Sequence, residues 1–200
     1  MTAIHSAPLN ALDAIYRRRA TRAFTSQSVD DETIRELLRA AVHAPTAMHL
    51  EPWAFAIVQD RRLLTRISDR AKALIASRDS GHGPLARTGD GRLPAIFNEP
   101  GFDIFYGAPT LIAICGKPMG MFVTADCWLA AENLMIAATA LGLATCPIGF
   151  AVMALADPEI KRELDIPAEV TAIAPIIVGF AASEPPRTTR RDPEILSWKK

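Results

Sequence analysis

The chain has 200 residues, half of them hydrophobic, and its 22 basic and 22 acidic side chains leave no net charge. This length and composition predict one globular domain spanning residues 1–200 and exclude an intrinsically disordered chain. Balanced charge argues against nucleic-acid binding, which needs a broad basic face, and no apolar run is long enough to span a membrane. We therefore expect neither nucleic acid nor membrane as a partner.

Apolar periodicity and β-branched runs predict the elements of the first 80 positions. Helices are predicted at residues 9–18, 30–42 and 61–77, with a strand at 53–58. Three acidic residues open the second of these helices, where negative charge suits the positive end of the helix dipole.

Residues 80–101 are rich in glycine and proline and have little periodicity, which predicts a long excursion from the fold. We favour a mobile lid or substrate-side loop over plain disorder, because four apolar side chains give this excursion something to bury. Beyond it, strands are predicted at 109–115 and 171–179, and helices at 125–141 and 157–164. The helix at 125–141 is nearly uncharged yet too short for a membrane, so we expect a buried central helix.

Proline and glycine residues predict the structure of two further segments. Pro147 and Gly149 predict a tight turn within residues 142–150. The tail at 183–200 is spaced by prolines and ends in apolar residues, which indicates an arm that docks on another surface, such as a second subunit.

The three cysteines, Cys115, Cys127 and Cys146, are odd in number, widely spaced and set in apolar surroundings. Such thiols are typical of reduced core residues in a cytosolic protein, and no zinc-ligand spacing accompanies them. Residues 1–10 lack a charged segment followed by an apolar one, so a secretion signal is not predicted. We expect a cytoplasmic protein without a metal site.

Four arginines lie within the six positions from Arg17 to Arg22, a local concentration of cations in a neutral chain. The planar, permanently charged guanidinium suits phosphate and the carbonyl edge of a flat heterocycle. The alternative is a solvated helix end, where cations complement the negative end of the dipole. Because short basic runs are common, this stretch alone favours the helix-end interpretation.

A second stretch reverses that preference. Ala44-Pro-Thr-Ala-Met-His-Leu-Glu-Pro-Trp53 follows Arg18-Arg-Ala-Thr-Arg-Ala-Phe24, and together they resemble the paired signature of the nitroreductase family of FMN-dependent flavoenzymes. The family pattern is Arg-Arg-Ser-x-Arg-x-Phe followed by Ala-Pro-Ser-x-x-Asn-x-Gln-Pro-Trp. The resemblance continues in order through Gly107–Pro109, Asn133-Leu134, residues 141–149 and Pro175–Gly179, so it covers nearly the whole chain.

The resemblance implies an α+β fold with a central, mostly antiparallel sheet flanked by helices. Residues 1–200 would form a single FMN-binding domain, with 80–101 as a lid or excursion. It also implies a homodimer that exchanges its C-terminal arms, residues 183–200, and holds two FMN sites at its interface.

The resemblance further implies which residues hold the phosphate and one edge of the ring. Arg18 matches the arginine that reaches the FMN phosphate, with Arg19 and the backbone of Ala20 beside it. Arg22 matches the cation near N1 and O2 of the ring, where negative charge collects on reduction. The tail residues that would close on the phosphate are Arg190 and Arg191.

Two other segments would contact the ring. The first, which in this family lies against the flavin bound mainly by the other subunit, comprises Pro45, Thr46, Ala47 and His49. The second passes over the ring and offers backbone N–H groups near N5 and O4, and it comprises Pro147, Ile148 and Gly149.

The sequence departs from the family pattern at three positions. Ala20 replaces the usual serine, which removes a hydroxyl worth about 1 kcal/mol of FMN binding. His49 replaces asparagine and can titrate near neutral pH. Glu51 replaces glutamine and adds a negative charge near an electron-rich flavin.

The function implied is an NAD(P)H-dependent oxidoreductase with a ping-pong mechanism. NADH or NADPH delivers hydride to flavin N5 and leaves, and then a nitroaromatic, quinone or similar small flat acceptor is reduced. The flavin carries the chemistry, so no catalytic side chain is assigned. Three alternatives stay open: a flavin-fragmenting or dehalogenating relative, a non-catalytic flavin-binding or sequestering protein, and a dimer that has lost flavin altogether.

Overall fold

The structure, a computed structural model, describes residues 9–78, 99, 101–186 and 188–200. Its helices are α1 (Ala11–Arg17), α2 (Asp31–Val42), α3 (Arg61–Arg78), α4 (Val123–Ala140), α5 (Ala151–Leu155) and α6 (Pro158–Glu163). Its strands are β1 (Trp53–Val58), β2 (Thr110–Gly116), β3 (Ala144–Pro147) and β4 (Thr171–Gly179). The lid predicted at 80–101 lies outside the described residues, apart from Glu99 and Gly101.

The four strands form one sheet in the order β1-β2-β4-β3, and every neighbouring pair is antiparallel. The two central strands, β2 and β4, are almost wholly apolar and buried, since helices cover both faces of the sheet. The predicted α+β fold with a mostly antiparallel sheet is therefore confirmed.

Each face of the sheet supports its own hydrophobic core. Helices α3, α5 and α6 cover one face around Ile67, Leu155 and Ile177. Helices α2 and α4 cover the other around Leu37 and Leu134. None of the helices in the described ranges is both long and apolar enough to cross a bilayer.

Helix α4 differs from the prediction of a buried central helix. One side is lined with small and apolar residues packed on the sheet, including Ala130 and Leu134, which are fully buried. The other side leaves Trp128 40% and Leu129 46% exposed. In the single chain α4 is thus an apolar helix with an uncovered face.

The predicted turn at 142–150 is partly wrong, because residues 144–147 form the edge strand β3. This strand pairs with β4, from Ala144 opposite Gly179 to Pro147 opposite Ile176. Proline is tolerated at a sheet edge, where a missing N–H leaves no ladder bond broken. The tight turn follows β3 and leads into α5.

Candidate functional site

The arginine-rich stretch runs from α1 onto the edge of the sheet. Ala20 forms an isolated parallel bridge with Thr145 of β3, and the Thr21 N–H donates to the Thr145 carbonyl at 3.0 Å. Further along, the Thr25 N–H donates to the Phe180 carbonyl at 2.9 Å, just beyond β4. These backbone bonds fix the arginines beside β3.

The arginines have different surroundings. The Arg18 Nε lies 3.5 Å from Oε1 of Glu132 on α4, and the Arg18 side chain is 20% exposed. Arg19 donates from Nη1 to the carbonyls of Tyr16 at 2.6 Å and Arg18 at 2.8 Å. Arg19 therefore caps the end of α1, as the helix-end interpretation predicted, while Arg22 is exposed.

The pKa of the Cys146 thiol is affected by two of these cations. Burial raises the pKa of Cys146, and the positive charges of Arg22 and Arg18 oppose that increase. Arg18 and Arg22 therefore both contribute positive charge to the surroundings of this strand. A buried thiol with a raised pKa is a poor nucleophile, so Cys146 serves as a core residue here.

Thr145, next to Cys146, is a feature that the sequence analysis missed. It is 2% exposed, and its hydroxyl finds no hydrogen-bond partner in the described part of the chain. A threonine within an apolar strand is common, so its position gave no signal. The backbone of the same residue forms the bridge that holds Ala20 and Thr21.

Only one amide in the predicted ring-covering turn is available to a ligand. Pro147 has no N–H, and the Ile148 N–H donates to the Pro175 carbonyl at 2.8 Å within the fold. Gly149 is exposed, and a Cβ built on it would meet nothing within 4 Å. Among the backbone bonds of the described residues none comes from the Gly149 N–H, so this exposed amide is the donor of the turn that a ligand could use.

The predicted segment Pro45–His49 is held from α4. The Ala47 N–H donates to Oδ1 of Asp126 at 3.2 Å, and Asp126 is only 4% exposed. Pro45 and His49 are exposed, while Thr46 and Ala47 are half-buried. Sequence reasoning missed Asp126, because the contact joins positions 79 apart in the chain.

Two predicted groups are not brought to the arginine stretch within one chain. In the described ranges, no ion pair or hydrogen bond links residues 45–49 or the tail to Arg18 or Gly149. Arg190 and Arg191 are exposed, as is the whole tail at 188–200. Within the described part of one chain, these two groups are therefore not bonded to the arginine stretch.

The donors that the fold does assemble suit an anionic, flat ligand. Arg18 and Arg22 offer cations for phosphate and a carbonyl edge, and the Gly149 amide offers a neutral donor. The described residues include no group of three or more His, Cys, Asp and Glu side chains that could hold a metal. These donors match the chemistry of FMN, and they lie at the sheet edge of an α+β protein.

Residues 15–180 match the model of the nitroreductase family, and the chain therefore belongs to that family. A protein of Archaeoglobus fulgidus, provisionally named NADH dehydrogenase/NAD(P)H nitroreductase, is 27% identical over 179 residues, covering 86% of each chain. The 5,6-dimethylbenzimidazole synthase of Rhodospirillum rubrum is 29% identical over 205 residues, covering 95% of this chain and 90% of the synthase. A Bacteroides fragilis nitroreductase crystallised with bound FMN is 25% identical, with a TM-score of 0.79 and coverage of 96% and 100%.

Proposed function

We propose that the protein is an FMN-dependent oxidoreductase that takes hydride from NADH or NADPH and reduces a nitroaromatic, quinone or similar flat acceptor. The observation that carries this proposal is the Thr21–Thr145 backbone bond, which places the stretch that contains Arg18 and Arg22 beside the edge strand β3. Family membership, the FMN of the Bacteroides fragilis protein and the name of the Archaeoglobus fulgidus relative support it.

In this proposal the arginines divide the ligand between them. Arg18 binds the phosphate, with the Ala20 backbone beside it and with Arg190 and Arg191 supplied by the tail. Arg22 faces the ring edge where negative charge develops, so it favours the reduced state. Bound FMN supplies the hydride acceptor and donor chemistry.

The remaining predicted residues orient the ring and exclude water. The exposed Gly149 amide donates to the ring edge, while Pro147 and Ile148 hold the backbone of that turn. The segment of Pro45, Thr46, Ala47 and His49 forms the opposite wall. Arg19 supports the site indirectly, because it fixes the end of α1 next to Arg18.

We infer that the working unit is a homodimer with exchanged arms and FMN sites at the interface. The single chain leaves large apolar side chains exposed on α1, on α4 and on the tail: Ile15, Tyr16, Trp128, Leu129, Leu196 and Trp198. Apolar surface of this kind is usually covered by a partner. A second copy would also supply residues 45–49 and the tail arginines to each site.

The expectation of one FMN-binding domain over residues 1–200 is part of the same proposal, since both cores share one sheet. A cytoplasmic location is supported by three free, buried cysteines.

A second candidate function is favoured by one specific observation. The Rhodospirillum rubrum relative, at 29% identity, is a 5,6-dimethylbenzimidazole synthase. A flavin-fragmenting activity in this chain would consume FMN, whereas the proposed oxidoreductase returns it unchanged.

An anaerobic titration of the purified protein tests these functions. We expect a yellow protein whose flavin absorbance bleaches with NADH or NADPH and returns on addition of 1,4-benzoquinone. Colour that persists with both nicotinamides would support a non-catalytic flavin binder. Loss of FMN on incubation under air, detected by chromatography, would support fragmentation. A colourless protein that takes up no FMN would refute the proposal.

A further inference from the structure

Asp126 is a buried carboxylate that the proposed function does not yet use. It is 4% exposed and lies in the N-terminal part of α4, between apolar neighbours that include Cys127. Among the ion pairs of the described residues none includes Asp126. Its carboxylate accepts a hydrogen bond from the Ala47 N–H at 3.2 Å. Buried aspartates are rare unless paired or functional, so this side chain requires an explanation.

The segment that Asp126 contacts has an unusual backbone. Met48, His49 and Glu51 have φ values of 56°, 54° and 43°, in the left-handed region that residues with side chains rarely adopt. Such conformations persist only when surrounding contacts hold them, and they are concentrated at functional sites. Burial cannot hold the conformation of Met48, because this residue is 84% exposed.

The contacts that do hold the segment come from the β2–α4 connection and from α4. A Cβ on Gly120 would lie 3.1 Å from Leu50 Cδ1, so the β2–α4 connection packs closely against Leu50. The Lys117 N–H donates to the Pro52 carbonyl at 2.8 Å. Asp126 adds the bond to Ala47, the residue that follows Thr46.

We propose that Asp126 is a positioning residue that fixes residues 45–49 as the acceptor-side wall of the flavin site. A carboxylate makes a stronger hydrogen bond to an amide than a neutral acceptor does, and the start of α4 favours its negative charge. The proposal rests on the proposed function, because it assumes that residues 45–49 face the flavin.

The test compares Asp126→Ala and Asp126→Asn with a matched buried aspartate, Asp157→Ala, which lies between α3 and α6. Asparagine keeps an oxygen that can accept from the Ala47 N–H. We expect Asp126→Ala to raise the KM for 1,4-benzoquinone about tenfold and to alter the visible circular dichroism of bound FMN. Asp126→Asn should stay within about twofold of wild type. Asp157→Ala should lower the Tm while leaving KM and the flavin spectrum unchanged.

A variant on the donor side keeps the proposal testable if Asp126→Ala does not fold. Thr46 has φ −128° and ψ 148°, the conformation that a residue before proline prefers, so Ala47→Pro removes the donor with little backbone change. We expect Ala47→Pro to reproduce the KM and dichroism changes.

The outcomes separate this inference from the proposed function. A yellow, active wild type with unchanged KM and dichroism in Ala47→Pro would overturn the positioning role alone. The same result in a folded Asp126→Ala would do so too, even if its Tm fell. A colourless wild type would overturn both proposals.

Discussion

The Nε atom of Arg18 lies 3.5 Å from Oε1 of Glu132, so the cation proposed for the FMN phosphate is already paired with a carboxylate on α4. The Glu132 side chain is 48% exposed, and ion pairs in such surroundings contribute about 0–1 kcal/mol. Hydrogen bonds to a charged phosphate are worth roughly 1.5–3 kcal/mol. In the proposed complex the phosphate therefore displaces Glu132 as the main partner of Arg18.

The first prediction follows from that competition. Arg18→Ala should weaken FMN binding by about 1.5–3 kcal/mol, roughly 10- to 100-fold in Kd, because it removes a charged hydrogen bond. Glu132→Gln should have the opposite sign, strengthening FMN binding by less than about fivefold as the competing charge is lost. Flavin fluorescence titration measures both. Equal Kd values in Arg18→Ala and wild type would refute the phosphate role.

Arg22 is predicted to act on the reduction potential as well as on affinity. Arg22→Ala should cost about 1.5–3 kcal/mol of FMN affinity and lower the two-electron potential of bound FMN, because the reduced ring loses a stabilising cation. A shift of about 30 mV corresponds to ~1.4 kcal/mol for two electrons. Arg22→Lys keeps the charge and should recover most of the shift. A potential that is the same in all three proteins would contradict the role assigned to Arg22.

Two buried threonines, Thr145 and Thr110, allow the stability effect of a hydroxyl without a partner to be compared with that of a bonded one. Among the described residues the Thr145 hydroxyl has no hydrogen-bond partner, whereas Thr110 accepts a hydrogen bond from Gln59 Nε2 at 3.1 Å. Thr145→Val should therefore stabilise the FMN-free protein by about 1 kcal/mol, and Thr110→Val should destabilise it by a similar amount. Urea denaturation gives both free energies of unfolding. If Thr145→Val were as destabilising as Thr110→Val, the Thr145 hydroxyl would have to make a hydrogen bond in the folded protein, and the prediction would be wrong.

The elements that could be predicted from the sequence are those with a hydrophobic pattern that extends over several residues. The strand at 53–58 and the strand at 171–179 were predicted with the bounds that the structure has, and the second helix differs by one residue at its start. Strand β3 was missed because it has four residues and depends on pairing with β4, far along the chain. No local period exists over so short a stretch.

The site was predictable by residue type but not by contact. Cations and a proline–glycine turn were identified from the sequence, yet the Ile148 amide is used by Pro175 and Arg19 by the end of α1. Asp126 could not be found, since only the packing of α4 brings it to Ala47. Which donor remains available is a property of the tertiary structure.

The pH dependence of stability should include a contribution from Asp157. Hydrogen bonds from Arg70 and from the Glu159 N–H lower the pKa of this carboxyl below its ordinary value of 3.8. The folded state thus binds the proton less tightly than the unfolded state, so the contribution is complete above that value and is lost as pH falls through the lowered pKa. Unfolding free energies of wild type and Asp157→Asn should differ at pH 7 and converge as the pH falls from 3.8 through the lowered pKa of Asp157. A difference that stayed constant on acidification would contradict this assignment.

The exposed tail is predicted to hold the two subunits together. Leu196 is 91% and Trp198 72% exposed in the single chain, and burying such side chains gives about 1.5–3 kcal/mol each. Leu196→Ala combined with Trp198→Ala should therefore raise the dimer dissociation constant by 100-fold or more, on the order of the energy lost. Deletion of Lys199 and Lys200 alone is the control and should leave the dimer intact.

Arg190→Ala with Arg191→Ala separates the two roles of the tail, because these side chains are proposed to bind phosphate rather than to join subunits. This double variant should weaken FMN binding without changing the sedimentation of the dimer. Analytical ultracentrifugation and fluorescence titration measure the two effects. A chain truncated after Glu184 that still sediments as wild type and binds FMN equally well would show that the tail does neither.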